Sequence, residues 1–203
     1  MDGRASGISM TAVQVDRAAV FFDRDGVLNE TVLVRGRPYP PASAAELTVE
    51  DSTVEACAQL RAASLALVVV SNQPDIARRT QSRAAVDAIN LALRQRLPLD
   101  AVLICPHDDA DECACRKPKP GMLLQAAKEL RLDLSRSVMV GDRWRDVEAG
   151  RRAGCATVFL DRGYDEPRPE GADLVVSELP IAVPWILSRL TLRQGGSNRA
   201  ATD

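Results

Sequence analysis

The chain reads as an α/β protein built on one Rossmann-like, doubly wound parallel sheet with helices on both faces. Three observations predict this. Short apolar, β-branched runs alternate with helical patterns along the whole chain. One of them, Leu65–Val70, is apolar without a break, as suits a parallel strand covered on both faces. Polar clusters then follow at least four of these runs, at Asp23/Asp25, Ser71/Asn72, Arg116/Lys117 and Asp142/Asp146, and strand ends are where open α/β sheets bind ligands.

Taken in order, Ala18–Phe22 is the first strand, ending in Asp23-Arg24-Asp25-Gly26, where glycine permits a sharp turn. Asn29–Glu50, with Pro38, Pro40 and Pro41, reads as an irregular loop bordering that strand end. Asp51 or Ser52 can cap a helix to about Ala63, with Val54, Ala58 and Leu60 facing inward. Leu65–Val70 is the second strand. Thr80 or Ser82 opens a helix to about Leu97 that carries Val86, Ile89, Leu93 and Leu97 on one face. Ala101–Ile104 is the third strand, followed by a cysteine-rich loop, Cys105–Arg116. Pro120 suits the first turn of a helix holding Met122, Leu123, Ala126, Ala127 and Leu130. Ser137–Val140 is a fourth strand, and a short helix after Asp142 ends near Ala153 with Gly154 as its C-cap. Thr157–Leu160 and Asp173–Val176 are further strands, and Leu179–Leu190 is a last helix that Pro184 starts or interrupts. Residues 1–16 and 193–203 read as disordered flanks of a single domain over 17–192.

With 203 residues, 46% of them hydrophobic, the chain can bury one full core. A net charge of -2 gives no bulk attraction to nucleic acid. No apolar run approaches the roughly 20 residues of a membrane span, and the start lacks a signal-peptide pattern. Five cysteines, three of them within eleven residues, fit a metal site in a reducing cytoplasm better than a disulfide framework. The expectation is a cytoplasmic monomer.

Two carboxylates one residue apart at a strand end repel unless a cation lies between them or one is protonated. Mg²⁺ suits the first option, because it takes few carboxylates and leaves positions for phosphate oxygens. One carboxylate can then act as nucleophile and the other as general acid/base. Alone, D-x-D-G is also an ordinary polar turn; the downstream clusters argue for chemistry. Asp142 offers a third carboxylate. Asp146 can orient a metal-bound water or simply stabilise a helix N-terminus. Ser71 offers a hydroxyl to phosphate, Asn72 can anchor its loop or touch substrate, and Arg116 and Lys117 supply positive charge for a transferring phosphate.

Cys105-x-His107 and Cys113-x-Cys115 give four N/S ligands within eleven residues, a closed set suited to structural Zn²⁺, and His107 is the chain's one histidine. Such a site would hold rigid the segment delivering Arg116 and Lys117. Cys57 and Cys155 fit apolar patterns and read as core residues.

The segments FFDRDGVLN, VVVSNQ, CRKPKPGM and MVGDRWRD resemble the four motifs of haloacid dehalogenase-like phosphatases. CPH-x5-CACRKPKPGM resembles the zinc-loop group that includes heptose 1,7-bisphosphate 7-phosphatases and the related histidinol-phosphate phosphatases. The resemblance implies Asp23 as nucleophile, Asp25 as acid/base, and Ser71 and Lys117 as holders of the phosphoryl group. It places Mg²⁺ on Asp23, Asp25 through its carbonyl, and Asp142. It implies a phosphorylated sugar meeting Asp23, Arg24, Asp25, Thr31, Val32, Leu33, Val34, Ser71, Asn72, Gln73, Pro74, Arg116 and Arg143. No large insertion is present, so no large cap domain is expected. The second motif departs from the heptose pattern at Pro74-Asp75, and the link from His107 to Cys113 is short; both touch the substrate side rather than the catalytic one. Histidinol phosphate is the alternative substrate. A non-catalytic zinc-stabilised module is the alternative of another class, and intact Asp23, Asp25, Lys117 and Asp142 argue against it.

Overall fold

The computed structural model describes residues 16–34 and 37–191, without the side chains of Leu33, Val34, Arg37 and Thr191. The flanks expected to be disordered lie outside the described residues, apart from Asp16. Strands β1 (Ala19–Phe22), β4 (Ala66–Asn72), β5 (Ala101–Cys105), β6 (Val138–Gly141), β7 (Ala156–Leu160) and β8 (Leu174–Val176) form one sheet in the order β5-β4-β1-β6-β7-β8. Every pairing in it is parallel. Five helices cover it: α1 (Asp51–Ala62), α2 (Arg83–Arg96), α3 (Gly121–Leu130), α4 (Trp144–Ala153) and α5 (Leu179–Thr191).

Alternation along the strands divides the core in two. Val20, Phe22, Leu67, Val69, Val138 and Val140 face one layer with α1, α2 and α5. Ala19, Phe21, Val68, Val70 and Met139 face the other with α3 and α4. Both faces of β1 are therefore dry, which explains why its sequence shows no polar alternation. The expected helices and strands are all present. The inward face of α1 differs: Thr53, Ala56, Cys57 and Leu60 are buried, whereas Ala58 is exposed. Positions i, i+3, i+4 and i+7 from Thr53 make a continuous stripe that the small residues left unmarked. The same helix begins at Asp51, so Glu50 holds the N-cap position, without a side-chain bond. Ser82 caps α2 by accepting from the Ala85 N–H at 3.1 Å.

The segment expected to be irregular contains a small antiparallel hairpin, β2 (Val32–Val34) with β3 (Arg37–Tyr39). Three-residue strands, one of them holding Pro38, give too short a pattern to read from sequence. Among the described residues this hairpin is the only addition over the strand ends, and no large cap domain is present there. No helix among them is long and apolar enough to cross a membrane.

From β1 the chain builds β4 and β5 on one side, then crosses to β6 on the other. The carboxyl ends of β5, β4, β1 and β6 thus lie side by side, with the order reversing beside β1, and ligands of open α/β sheets bind at such a reversal.

Candidate active site

Asp23 follows β1, and its backbone N–H continues the sheet by donating to the Val140 carbonyl at 2.9 Å. Lys117 reaches it from the loop before α3: its Nζ lies 2.8 Å from Asp23 Oδ1, 2.6 Å from Asp146 Oδ1 and 2.7 Å from the Val70 carbonyl. Asn72 fixes that lysine's backbone, donating to the Lys117 carbonyl and accepting from its N–H, both at 3.0 Å. Of its two expected roles, Asn72 therefore takes the anchoring one. Asp146 takes the helix-start role open to it, Oδ2 accepting from the Arg143 N–H at the start of α4, while its Oδ1 holds the lysine. Its grip on Lys117 was not foreseen.

Asp25 is held by four donors. Arg24 Nε and Asn29 Nδ2 meet Oδ1 at 3.1 and 3.0 Å, and the second Arg24 nitrogen and Gln73 Nε2 meet Oδ2 at 2.9 Å each. Gln73 also donates to Ser71 Oγ at 2.9 Å, which links the ends of β1 and β4. Gly26 is required twice over. Its φ is +86°, and a Cβ there would stand 2.0 Å from Asp142 Oδ2.

Asp23, Asp142 and Asp146 bring carboxylate oxygens within 4.8 Å of one another, all buried. Three carboxylates face one lysine. Burial pushes the Asp23 carboxyl up, and the neighbouring charges of Asp146 and Asp25 add to this against the pull of Lys117. Asp142 is pushed well above the usual carboxylate range, first by burial, then by Asp23 and Asp146. Lys117 ends raised: burial works against its charge, but Asp146 and Asp23 prevail. The Asp142 carboxyl interacts with the Tyr164 hydroxyl, but neither of its buried oxygens makes a hydrogen bond of good geometry. A buried carboxylate so poorly satisfied, in a cluster short of positive charge, is what a hard cation with oxygen ligands would satisfy.

Above these groups lies a cavity of about 180 Å³ lined by Asp23, Asp25, Thr31, Asn72, Gln73, Pro74, Arg116, Lys117 and Arg143, all expected at the site. Pro38, Tyr39 and Pro40 of the hairpin, together with Asp75, Arg78, Arg145 and Asp146, complete the wall. Ser71 sits just beneath, 1% exposed. Two expected contacts fall elsewhere. The Arg24 side chain is wholly buried, its guanidinium shared between Asp25 and Asn90 Oδ1 (2.9 Å), so it braces the acid rather than lining the cavity. Val32 is 57% exposed and is not among the lining residues, because the period of β2 turns it to solvent. Leu33 and Val34 lie outside the described side chains.

Cys105, at the end of β5, joins His107, Cys113 and Cys115 in a second cluster. Their Sγ and Nδ1 atoms stand 3.3–3.6 Å apart, and no pair is a disulfide. Tetrahedral coordination at metal–sulfur distances near 2.3 Å requires edges of roughly 3.3–3.8 Å. This cluster can hold a metal ion. Arg116 folds back on the same loop, donating to Asp109 Oδ1 at 2.7 Å and to the His107 carbonyl at 3.2 Å. Arg78, from the loop after β4, makes two bonds of 2.7 and 2.8 Å to Asp108.

A carboxylate pair, a buried lysine and a third carboxylate at the switch point of a parallel sheet define a hydrolase of the HAD type, and the HAD-hydrolase-like family model matches residues 114–180. The D-glycero-D-manno-heptose-1,7-bisphosphate 7-phosphatase of Thermosynechococcus vestitus is 35% identical over 200 residues, covering 87% of this chain and 99% of its own. The corresponding Pasteurella multocida enzyme is 38% identical over 155 residues, 71% of this chain and 81% of its own. A crystal structure of the Bordetella bronchiseptica D,D-heptose 1,7-bisphosphate phosphatase, complexed with magnesium and phosphate, superposes with a TM-score of 0.72 at 31% identity, covering 84% of this chain and 98% of that one. The chain belongs to the HAD-like heptose-1,7-bisphosphate phosphatase family.

Proposed function

We propose that this protein is a Mg²⁺-dependent phosphatase that removes the 7-phosphate of D-glycero-D-manno-heptose 1,7-bisphosphate through an aspartyl-phosphate. The observation that carries the reading is the charge deficit under the cavity, where three buried carboxylates face one lysine and neither Asp142 oxygen makes a well-formed hydrogen bond. Asp23 and Asp142, with the Asp25 carbonyl, would hold the Mg²⁺, whose charge would draw electron density from the phosphoryl oxygens. An Asp23 oxygen attacks phosphorus while the bond to the sugar oxygen breaks, and Asp25 gives that oxygen its proton. Asp25 then takes a proton from water, the water oxygen attacks the aspartyl-phosphate, and phosphate leaves with Asp23 restored. Lys117 supplies a fixed positive charge to the transferring group, and Ser71 a hydroxyl. The four donors on Asp25 fix the acid's position through both steps.

In the same reading the Cys105, His107, Cys113 and Cys115 cluster holds structural Zn²⁺, and residues 17–192 work as one monomeric domain in the cytoplasm. The Arg116 bonds back into that loop support the first point, since they make the position of Arg116 and Lys117 depend on the loop's order. Two experiments test the reading. Phosphate release with Mg²⁺ should show higher kcat/KM on the heptose 1,7-bisphosphate than on histidinol phosphate, with heptose 1-phosphate as product; equal or better turnover of histidinol phosphate would move the substrate to that compound. Elemental analysis should find about one zinc per chain, and Cys113→Ser should lose it together with thermal stability. A zinc-free preparation of unchanged melting temperature and activity would remove zinc from the account.

A further inference from the structure

Four guanidinium groups line the cavity, and their pairing is unequal. Arg78 is bound twice by Asp108. Arg116 is committed to Asp109 and the His107 carbonyl. Arg143 stands 3.3 Å from Glu166, and it donates to the Pro38 carbonyl at 3.4 Å. Arg145 makes no salt bridge among the described residues; Asp109, already bound by Arg116, feels its charge only at longer range. The Arg145 guanidinium lies instead over the Trp144 ring, 4.8 Å from the centroid. Stacking of this kind fixes the plane of a guanidinium while leaving its N–H edge open for a planar acceptor or a phosphate. Its place in the chain adds to the anomaly. Arg145 is the second residue of α4, at the end where the helix macrodipole disfavours a cation. A half-buried arginine that is unpaired, oriented by an indole and held at the positive end of a helix is poised for an anion that arrives from outside.

The proposed substrate carries two phosphates, and the groups described so far account for the one that is transferred. Lys117 and Asp23 are buried lining residues with Asp142 buried beside them, whereas Arg145 lines the cavity from a half-buried position, as do Arg116 and the more exposed Tyr39 of the hairpin. We propose that Arg145 is a specificity-determining residue which grips the phosphate that is not transferred, so that the bisphosphate is preferred over a monophosphate of the same sugar. This rests on the sugar-bisphosphate reading of the site. Arg116, which the sequence resemblance placed against the sugar phosphate, keeps two of its donors in the Cys/His loop, and Arg145 alone of the four has no hydrogen bond or salt bridge among the described residues.

The test is kinetic and uses the full-length, metal-loaded protein. Values of kcat and KM are measured for heptose 1,7-bisphosphate and heptose 7-phosphate on the unaltered chain, Arg145→Gln and Arg145→Lys. The unaltered chain should favour the bisphosphate. Arg145→Gln should raise the bisphosphate KM by about tenfold or more, the size of a lost charge-assisted hydrogen bond, with kcat little changed. Its effect on the monophosphate should be much smaller, and Arg145→Lys should recover part of the preference. Melting temperatures report whether the variants fold. A bisphosphate preference that survives in Arg145→Gln, or an equal loss on both substrates, overturns the role of Arg145 and leaves the sugar-bisphosphate reading intact. An unaltered chain with no preference for the bisphosphate overturns both.

Discussion

The two ends of the sheet treat their acids in opposite ways. At the carboxyl ends of the strands, buried Asp23, Asp142 and Asp146 crowd around one lysine, Asp23 and Asp142 are pushed up, and the Asp142 oxygens lack a well-formed hydrogen bond. At the amino ends each polar group completes a strand. Asp100 accepts from the Leu67 N–H at 2.8 Å, and Asp173 from the Thr157 N–H at 2.8 Å. Ser137 Oγ accepts from the Ala19 N–H at 3.0 Å. Asp100 is correspondingly lowered below the ordinary carboxylate value. One end stores electrostatic conflict that a cation can relieve; the other resolves its charges within the fold. Substitutions should therefore separate function from stability according to the end they touch.

The largest effect belongs to Lys117→Met. It leaves Asp23 and Asp146 buried with no cation, which costs about 3–5 kcal/mol for a broken buried pair, and it removes a charge from the phosphoryl site. Urea unfolding should show the loss of stability, and phosphate release should fall to background. Stability within about 1 kcal/mol of the unaltered chain would mean that the crowding described at this end is not real. Asp142→Asn sharpens the contrast, because here activity and stability should move in opposite directions. A carboxyl raised by burial contributes stability below its unfolded value and loses it as the pH rises through the folded one. Replacing it removes that penalty. In Mg²⁺-free buffer at about pH 8 the melting temperature should rise, at roughly 2–4 °C for each kcal/mol in a chain of this size, while turnover disappears. A lower melting temperature would show that the Tyr164 hydroxyl already satisfies Asp142 in the free protein.

The carboxyl end was also the more legible in sequence. Asp23, Asp25 and Asp142 follow within three residues of an apolar run, so local pattern alone puts them at strand ends, and Lys117 just precedes a proline-marked helix start. The mouth of the cavity was not legible. The hairpin that brings Pro38, Tyr39 and Pro40 to it has strands of three residues, below the length at which alternation can be read. The role of Arg24 depends on Asn90, 66 residues away. The available signal was Asn90 itself, a polar residue on the buried stripe of Val86, Ile89 and Leu93. Asp146 was visible as a helix-start acid, but its bond to Lys117 joins the first turn of α4 to a distant loop, an approach that only the sheet order determines. Residues tied to a strand end were readable, and residues whose partners are set by topology were not.

The smallest predicted effect lies at the amino end, and it carries a pH signature. Burial alone would raise the Asp100 carboxyl, but the Leu67 N–H and the guanidinium groups of Arg61 and Arg17, at 2.9 and 3.2 Å, more than reverse this. Its folded value therefore lies below the ordinary 3.8. A depressed carboxyl contributes stability above its unfolded value and loses it as the pH falls through the folded one. With the side chain 20% exposed and Arg17 largely in solvent, screening keeps the contribution to about 1 kcal/mol. Asp100→Asn should lower the unfolding free energy by that amount at neutral pH and leave kcat and KM unchanged, since no cavity residue touches it. The gap between the two proteins should stay level down to about pH 4.5 and close below the carboxylate range, because both then carry a neutral side chain. A gap that persists undiminished in acid would assign the loss to packing or to the altered strand-end hydrogen bond instead of to charge. Any fall in turnover at neutral pH would show that the two ends of the sheet are not independent.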